Sequence, residues 1–402
     1  MTFKIELIDE TEKFKNLKKE WNSLLEKSEE KDNIFLKWEW LFNWWKIYKS
    51  KNKELFILIV KDKDKIVGIA PFFLLKYKLV SFFPSVRQIM FLGTGEVCSD
   101  FLDIITFPQL RAKIFEEIFK FLVQDVQKFS GNKFFDILLL GNIPEDSMSI
   151  PLLKKTAKKF DLNFNLFPFT ECPVIELPKT VEDFKKTLNK SDRNKIFRKF
   201  RRLKENFPNY KIEKIKELSS LDEGIDVMVN LNKKRCKEKG LKSSFLSDKM
   251  VKFHKEISKI FLSKNLLDMY LFRINNKPIA YSYNFHTNGT IYGYSTGFDT
   301  NEEYCRKYNV GTILTMYVIT KSIEEGFNKF SLGRGKDAYK LKFTKKIRKT
   351  LTVVIWRRKN IKGYLIKNIF LILTFLRKIA LNFFPRKYVE MIKEKVLGNY
   401  FR

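Results

Sequence analysis

Two distant stretches of this chain share one pattern. Residues 55–70 read LFILIVKDKDKIVGIA and residues 267–280 read LDMYLFRINNKPIA. Each is an apolar run, a polar turn and a second run entering through Ile-Val-Gly-Ile-Ala or Pro-Ile-Ala. Each follows helical segments and precedes further strands. A hairpin this apolar must be covered by helices or by a second sheet. Two of them in a chain of 402 residues imply two α/β units, not one oversized core.

Hydrophobic spacing fills in the rest. In the first half, residues 11–27 predict a helix, with Phe14, Leu17, Trp21, Leu24 and Leu25 on one face. Residues 37–48 predict a second, whose Trp38, Trp40, Trp44 and Trp45 are best read as core. Strands are expected at 88–91, 101–105 and 134–140, with helices at 109–129 and 152–160. The second half opens on a strand at 172–177. Helices at 181–206 and 220–239 and strands at 267–274, 279–286 and 290–298 come next. A helix from about 311 to 325 and strands at 328–333 and 350–358 complete it. The expected fold class is α/β (α+β): two units, 1–165 and 170–358, each a mixed, mostly antiparallel sheet flanked by helices. A basic amphipathic helical tail, 359–402, follows.

The chain carries 78 Lys and Arg against 46 Asp and Glu, a formal charge of +32. Such a field attracts anions, whether phosphates, nucleic acid or an acidic membrane. Codon bias toward Lys, Asn, Ile and Phe explains part of the excess. The four cysteines, Cys98, Cys172, Cys236 and Cys305, stand far apart, which excludes CxxC zinc and redox motifs; HExxH and Walker A patterns are missing too. No metal is expected. Gly293-Tyr294-Ser295-Thr296-Gly297 fits G-x-S-x-G, but both histidines, His254 and His286, precede Ser295, against the order of a hydrolase triad. Gly333-Arg334-Gly335-Lys336-Asp337-Ala338 fits G-x-G-x-x-A, yet no helix is expected after it. The N-terminus lacks the apolar core of a secretory signal, so a cytoplasmic location is expected.

The order strand, polar loop, helix, strand across 290–335 carries the chemistry. The helix is expected to begin at Tyr308-Asn309-Val310-Gly311-Thr312. Free amides in a first turn, together with the helix dipole, favour an anion. A glycine there lets a ligand approach the backbone.

Pro278-Ile279-Ala280, Tyr294-Ser295-Thr296-Gly297-Phe298-Asp299, Tyr308-Asn309-Val310-Gly311 and Gly333-Arg334-Gly335-Lys336-Asp337-Ala338-Tyr339-Lys340 occur in that order. This series resembles the CelD-like or BioF-like branch of the GNAT acyltransferases, with Asn-Val-Gly in place of that branch's Ser-Pro-Gly. Trp21, Val67-Gly68-Ile69-Ala70-Pro71 and Phe101-Leu102-Asp103 extend the resemblance to about residues 20–356. It implies two tandem GNAT-like units and transfer of an acyl group from acyl-CoA, acetyl or longer, to an amine or hydroxyl. The acceptor would be a small or lipid-linked molecule of envelope or polysaccharide chemistry. It further implies cofactor binding at Tyr308, Asn309, Val310, Gly311 and Thr312 between splayed strands. Lys340 and Tyr339 are the catalytic candidates, for electrostatic stabilisation and protonation of the leaving thiolate. Arg334, Asp337 and Tyr294 are the substrate contacts. Asp299, Glu302, Glu303 and His286 stay open as bases.

The pattern also resembles the Fem-type aminoacyl ligases, which take their acyl group from aminoacyl-tRNA. Tyr339-Lys340-Leu341-Lys342-Phe343 matches their aromatic-Lys element. In that alternative the nucleic acid bound would be tRNA. A non-catalytic membrane or nucleic-acid binding protein is a third reading. Residues 185–204 hold ten Lys or Arg and one acid, Asp192, on a helix with Ile196, Phe200 and Leu203 as its apolar stripe. In the tail, the apolar run 369–376 beside Arg377 and Lys378 is too short to span a bilayer. It suits an interfacial helix on an anionic membrane.

Overall fold

The computed structural model describes residues 3–78, 85–125, 135–369 and 371–372. Two compact units divide the chain: residues 1–170 with 349–402, and residues 171–348. The expected division was linear. The observed one is not, because the strand Ile347–Arg357 lies almost wholly in the first unit and pairs there antiparallel with Ile137–Pro144, Thr350 facing Pro144 and Trp356 facing Ile137. Its Val353, Val354 and Ile355 are fully buried there.

In the first unit, the hairpin read from residues 55–70 is the antiparallel pair Ile57–Asp62 and Lys65–Ala70. It belongs to a four-stranded sheet with Phe3–Ile8 and Ile105–Thr106 at its edges. A second set of strands runs Ile347–Arg357, Ile137–Pro144, Val86–Phe91, Phe72–Tyr77, Lys53–Leu55, with one parallel pair, Val86–Phe91 on Ile137–Pro144. Leu17 breaks the helix expected at 11–27 into Thr11–Asn16 and Lys18–Glu26. The tryptophan helix, Trp38–Tyr48, is core as expected, with Trp40 and Trp44 sealed from solvent. The helix expected at 109–129 is Arg111–Lys120 plus a wider turn to Asp125; its last residues, and Phe134, lie outside the described residues.

The second unit is one twisted sheet in the order Tyr210–Lys214, Leu267–Ile274, Lys277–His286, Thr290–Phe298, Lys329–Ser331 and the end of Leu162–Glu176. Asn275 and Asn276, both with positive φ, make the two-residue hairpin turn that Asn-Asn favours. Helices cover both faces, so the central strands are apolar almost throughout. All neighbours are antiparallel except Thr290–Phe298 on Lys329–Ser331, which the helix Val310–Glu324 joins as a parallel crossover. That helix is buried nearly all round, and Thr315, Thr320 and Ser322 return their hydroxyls to carbonyls one turn back. The long basic helix of 181–206 is two, Val181–Thr187 and Lys190–Asn206, parted at Leu188 and Asn189. The helix Asp248–Ser263 was not read from the sequence, although Met250, Phe253, Ile257 and Phe261 mark its buried face and Ser247 caps it.

In the tail, residues 361–369 are helical, with Ile361, Tyr364 and Leu365 exposed. Most of the run 369–376, and Arg377 and Lys378, lie outside the described residues. Among the described residues no helix is long and apolar enough to cross a membrane.

Candidate functional site

The parallel pair at the centre of the second unit is short. Thr290 faces Lys329, Ile291 faces Phe330 and Tyr292 faces Ser331. Beyond that the second strand leaves: Leu332 N donates to Pro173 O (2.9 Å) and Gly335 N to Glu171 O (2.8 Å). Thr290–Phe298 meanwhile continues with Lys277–His286, as far as Phe298 opposite Ala280. The two strands therefore form a fork. Its apex is Gly293 against Gly333, where a Cβ on Gly333 would lie 2.5 Å from Gly293 O. Gly333 has φ +71°, so both the close approach and the backbone angle require glycine.

At the apex the first strand bulges. Tyr283 faces Ser295 and Asn284 faces Gly293, which leaves Tyr294 as the extra residue. This is the segment that fitted a hydrolase elbow. It is mid-strand, and Ser295 Oγ meets the Tyr281 hydroxyl (2.8 Å), not a histidine. The Tyr294 hydroxyl lies 3.0 Å from His254 Nε2, and His254 Nδ1 lies 3.1 Å from the Tyr283 hydroxyl. Near the strand's end, Arg235 Nη1 donates to Thr296 O (2.7 Å) and Lys234 Nζ holds Asp299 (2.9 Å). Burial would raise the Asp299 carboxyl, but Lys234, the Asn301 amide and the charge of Lys277 together hold it below the usual range.

The second strand continues as the loop 333–342. Lys340 is buried, and its ammonium donates to Gly333 O (3.1 Å) and Arg334 O (2.6 Å), with Asp337 at 3.9 Å. The charge expected beside a reacting group instead holds the loop's own carbonyls at the apex. Tyr339 is half-buried beside it. Burial pushes its phenol well above the usual range, opposed by the charge of Arg235 and reinforced by Asp337 and Tyr281. Arg334 and Asp337 are half-exposed on the same loop. No helix follows the G-x-G-x-x-A match, only one turn, Lys340–Lys342.

At the far end of that loop is a cavity of about 90 Å³, walled by Lys195, Lys199, Tyr308, Asn309, Thr312 and Lys342, with Asp192, Ile196 and Ile313. The loop expected before the helix contains a short helix of its own, Glu303–Tyr308, and Asn309 turns between the two with φ +55°. Asn309 N and its carbonyl serve that turn, Thr312 and Ile313 donating to Asn309 O. With its amide oriented to satisfy both ends, the Asn309 side chain donates to Arg306 O (3.0 Å) and accepts from Lys199 Nζ (3.1 Å). Burial and the like charges of Lys342 and Arg198 push Lys199 below its usual pKa. Among the described residues no carboxylate lies within 4.0 Å of the Lys195, Lys199 or Lys342 ammonium groups.

The predicted cofactor residues thus separate. Tyr308, Asn309 and Thr312 line the cavity, whereas Val310 is buried in the core. Gly311 admits the Phe298 ring, 3.2 Å from where its Cβ would stand, so its small size serves helix-on-strand packing. Of the open bases, Glu302 pairs with Lys277, and His286 lies 3.7 Å from Asp268 where the fork is still closed. Lys195, Lys199, Lys342, Arg235 and His254 were not singled out from the sequence. The lysines are lost among many others, and His254 sits on the helix that was not read.

Residues 190–341 match the sequence model described as Acetyltransferase (GNAT) domain. A search of curated proteins finds no match. Among solved structures, the fold is similar to FemX, at 8% identity and a TM-score of 0.57, covering 88% of this chain and 97% of that one. It is also similar to a conserved protein of unknown function from Bacteroides thetaiotaomicron VPI-5482, at 12% identity and a TM-score of 0.55, covering 88% of this chain and 100% of that one. Residues 190–341 thus match a GNAT-type acetyltransferase domain, and the chain has a GNAT-type fold similar to that of FemX.

Proposed function

We propose that the second unit transfers an acyl group from acyl-CoA to an amine or hydroxyl of a small or lipid-linked acceptor of envelope or polysaccharide chemistry. The observation that carries this is a juxtaposition. A fork between Thr290–Phe298 and Lys329–Ser331 and a lysine-walled helix start are the two ends of one loop, 333–342. The fork suits a thioester, and the cavity suits the phosphates of coenzyme A. Lys195, Lys199 and Lys342 outnumber the one carboxylate of the lining, Asp192, and the dipole of Val310–Glu324 adds to their positive charge. Each charge-assisted contact to a phosphate contributes about 1.5–3 kcal/mol. When bound, the cofactor supplies the activated acyl group. The chain's own part is to hold it in line with the acceptor and to exclude water. In this reading Lys340 fixes the apex, Tyr339 faces the leaving sulfur, and Arg334, Asp337 and Tyr294 contact the acceptor.

Calorimetry with acetyl-CoA and longer acyl-CoAs tests it. Wild type should bind. Lys199→Glu with Lys342→Glu should bind at least tenfold more weakly while keeping its fold. Equal affinities, or no binding by wild type, would remove the acyl-CoA assignment. Gly311→Trp is the less clean variant, because it strikes Phe298.

A second reading, an aminoacyl-tRNA-dependent ligase, draws on the likeness to FemX and on the exposed Arg198, Arg201 and Arg202 of the basic helix. Against it, Leu218–Glu238 and Asp248–Ser263 lie on the sheet and form no projecting hairpin. Salt-dependent binding of a tRNA mixture, lost in an Arg198→Glu, Arg202→Glu variant, would favour it. The exposed apolar side chains at 361–372 further suggest a site at the cytoplasmic face of an anionic membrane. Sedimentation with phosphatidylglycerol vesicles checks that.

A further inference from the structure

One arm of the fork holds a cation that comes from outside the sheet. Gly293 O faces Gly333 across the apex. The bulge at Tyr294 adds one residue, so the alternation of carbonyls resumes with Thr296, not Ser295, turned to the open edge. The far end of the strand agrees. Asp299 N donates to Ile279 O (2.7 Å), so Gly297, two residues back, turns its N–H and C=O to Lys277–His286, and Thr296 turns its own away. Thr296 O accepts from Arg235 Nη1 (2.7 Å). On the loop that continues the other arm, burial raises the Tyr339 phenol and the charge of Arg235 opposes that rise. Arg235 is thus a half-buried guanidinium that engages one arm and acts electrostatically on the other.

It comes from the face opposite the lysine cavity. On Lys277–His286, Tyr281 meets Asn232 of Leu218–Glu238, and Tyr283 meets Ser258 of Asp248–Ser263. Ile279 and Ala280 pack instead with Ile196, Ile313 and Leu314. These two helix pairs therefore cover opposite faces of the sheet. The cavity is walled by Lys190–Asn206 and Val310–Glu324, whereas Arg235 stands in the last turn of Leu218–Glu238. Other cations of that helix and sheet are answered within the protein: Lys234 by Asp299, and Arg273 by Glu213 and Glu223. Arg235 is not. Among the described residues its hydrogen-bond acceptor is Thr296 O, and no carboxylate lies within 4.0 Å of it. With Nη1 engaged, the Nε–Nη2 edge is the one left, and such an edge takes a carboxylate or phosphate through two parallel N–H···O bonds. A guanidinium cannot shed its proton to escape burial.

We propose that Arg235 binds an anionic group, a carboxylate or a phosphate, on the molecule that receives the acyl group. Thr296 O holds the guanidinium at the fork. Its place opposite the cavity gives this anion to the second substrate and leaves the cofactor's phosphates to Lys195, Lys199 and Lys342. The acceptor is accordingly an amine or hydroxyl compound that also carries negative charge. Its naming as the acceptor rests on the acyltransferase reading. The anion site itself does not.

Arginine side-chain ¹⁵Nε–H spectra of the full protein test this, with the Arg235 resonance identified by its loss in Arg235→Lys. Sodium acetate and sodium phosphate are the probes, and sodium chloride at equal ionic strength is the reference. Acetate, phosphate or both should shift the Arg235 resonance saturably, and chloride should not. A response to acetate alone assigns a carboxylate, and one to phosphate alone a phosphate. The shift should persist in Lys199→Glu with Lys342→Glu, and in wild type saturated with acetyl-CoA. An Arg235 resonance no more sensitive to either probe than to chloride would overturn the proposal. So would a response abolished by acetyl-CoA, since Arg235 would then serve the cofactor. If either probe engages Arg235 while wild type fails to bind acetyl-CoA by calorimetry, the anion site stands and the acyl-CoA reading falls.

Discussion

Both units join two parallel strands through a helix, and they treat the start of that helix in opposite ways. In the first unit the helix is Arg111–Lys120, between Val86–Phe91 and Ile137–Pro144. Its first residue, Arg111, is buried and reaches Glu29 (2.7 Å), Glu30 and Thr106 (3.0 Å), with Asp103 buried nearby. Burial raises the Glu30 carboxyl to about 7, with the charge of Asp103 adding to the effect and Arg111 opposing it. That helix start is closed by an internal ion cluster. In the second unit, three lysines face the helix start with a single carboxylate, Asp192, in the same wall and, among the described residues, none within 4.0 Å of their ammonium groups. One crossover is thus neutralised from within and serves as structure, while the other keeps a positive charge that an outside anion can satisfy.

Arg111→Leu should break the comparison on the structural side. It leaves Glu30 and Asp103 buried without a counter-charge and should cost about 3–5 kcal/mol. All six tryptophans lie in the first unit, so fluorescence-detected urea unfolding reads it selectively. The loss should be smaller at pH 5 than at pH 8, since Glu30 is protonated at the lower pH.

Gly333→Ala attacks the fork. The left-handed backbone alone costs roughly 1–2 kcal/mol, and the Cβ meets Gly293 O as well. Histidine resonances, both in the second unit, should report the loss while tryptophan unfolding stays near wild type. An unchanged His254 spectrum would mean that the apex tolerates a side chain.

A single reversal, Lys199→Glu, should weaken acetyl-CoA binding by about 1.5–3 kcal/mol without destabilising the fold, because it relieves repulsion from Lys342 and Arg198. The same change at an exposed lysine outside the cavity wall, Lys237→Glu, should do far less.

The most gradual effect is on pH dependence, where the units should lean in opposite directions. Glu30 has a folded pKa of about 7 against 4.5 unfolded, so it binds its proton more tightly when folded. Its burden on stability is absent below pH 4.5 and full above pH 7. His254 has a folded pKa of about 3 against 6.5 unfolded. Its neutral state keeps full stability above pH 6.5 and loses it as pH falls toward 3. Between pH 4.5 and 6.5 the first unit should therefore gain on acidification and the second lose, each by up to about 1.4 kcal/mol per pH unit. Glu30→Gln should flatten the tryptophan-detected trend and leave the histidine-detected one.

Much of the fold was legible because hairpins and amphipathic helices announce themselves locally. Asn275-Asn276 between apolar runs specifies a tight turn, and the tryptophan spacing of 38–45 specifies a buried face. The helix Asp248–Ser263 escaped notice because its lysines interrupt the apolar stripe. The break at Leu188-Asn189 was hidden inside one basic run. The strand Ile347–Arg357 reads the same whichever unit it joins, since an apolar strand carries no mark of its partner. At the site, the glycines of 293 and 333 and the helix start near 309 were visible. Their mutual contact was not.

Local patterning in the sequence determined two α/β units, a strand–helix–strand crossover in each and a surplus of positive charge, because periodicity and turn chemistry act over a few residues. Tertiary structure alone decided which charges meet. It seats Arg111 among carboxylates and groups Lys195, Lys199 and Lys342 around one cavity with Asp192 as its single carboxylate. It turns the Lys340 ammonium onto loop carbonyls and lines up Ser258, Tyr283, His254 and Tyr294 behind the fork. Electrostatic and hydrogen-bond energies depend on distance and burial between residues remote in the chain, and no spacing along the sequence encodes those.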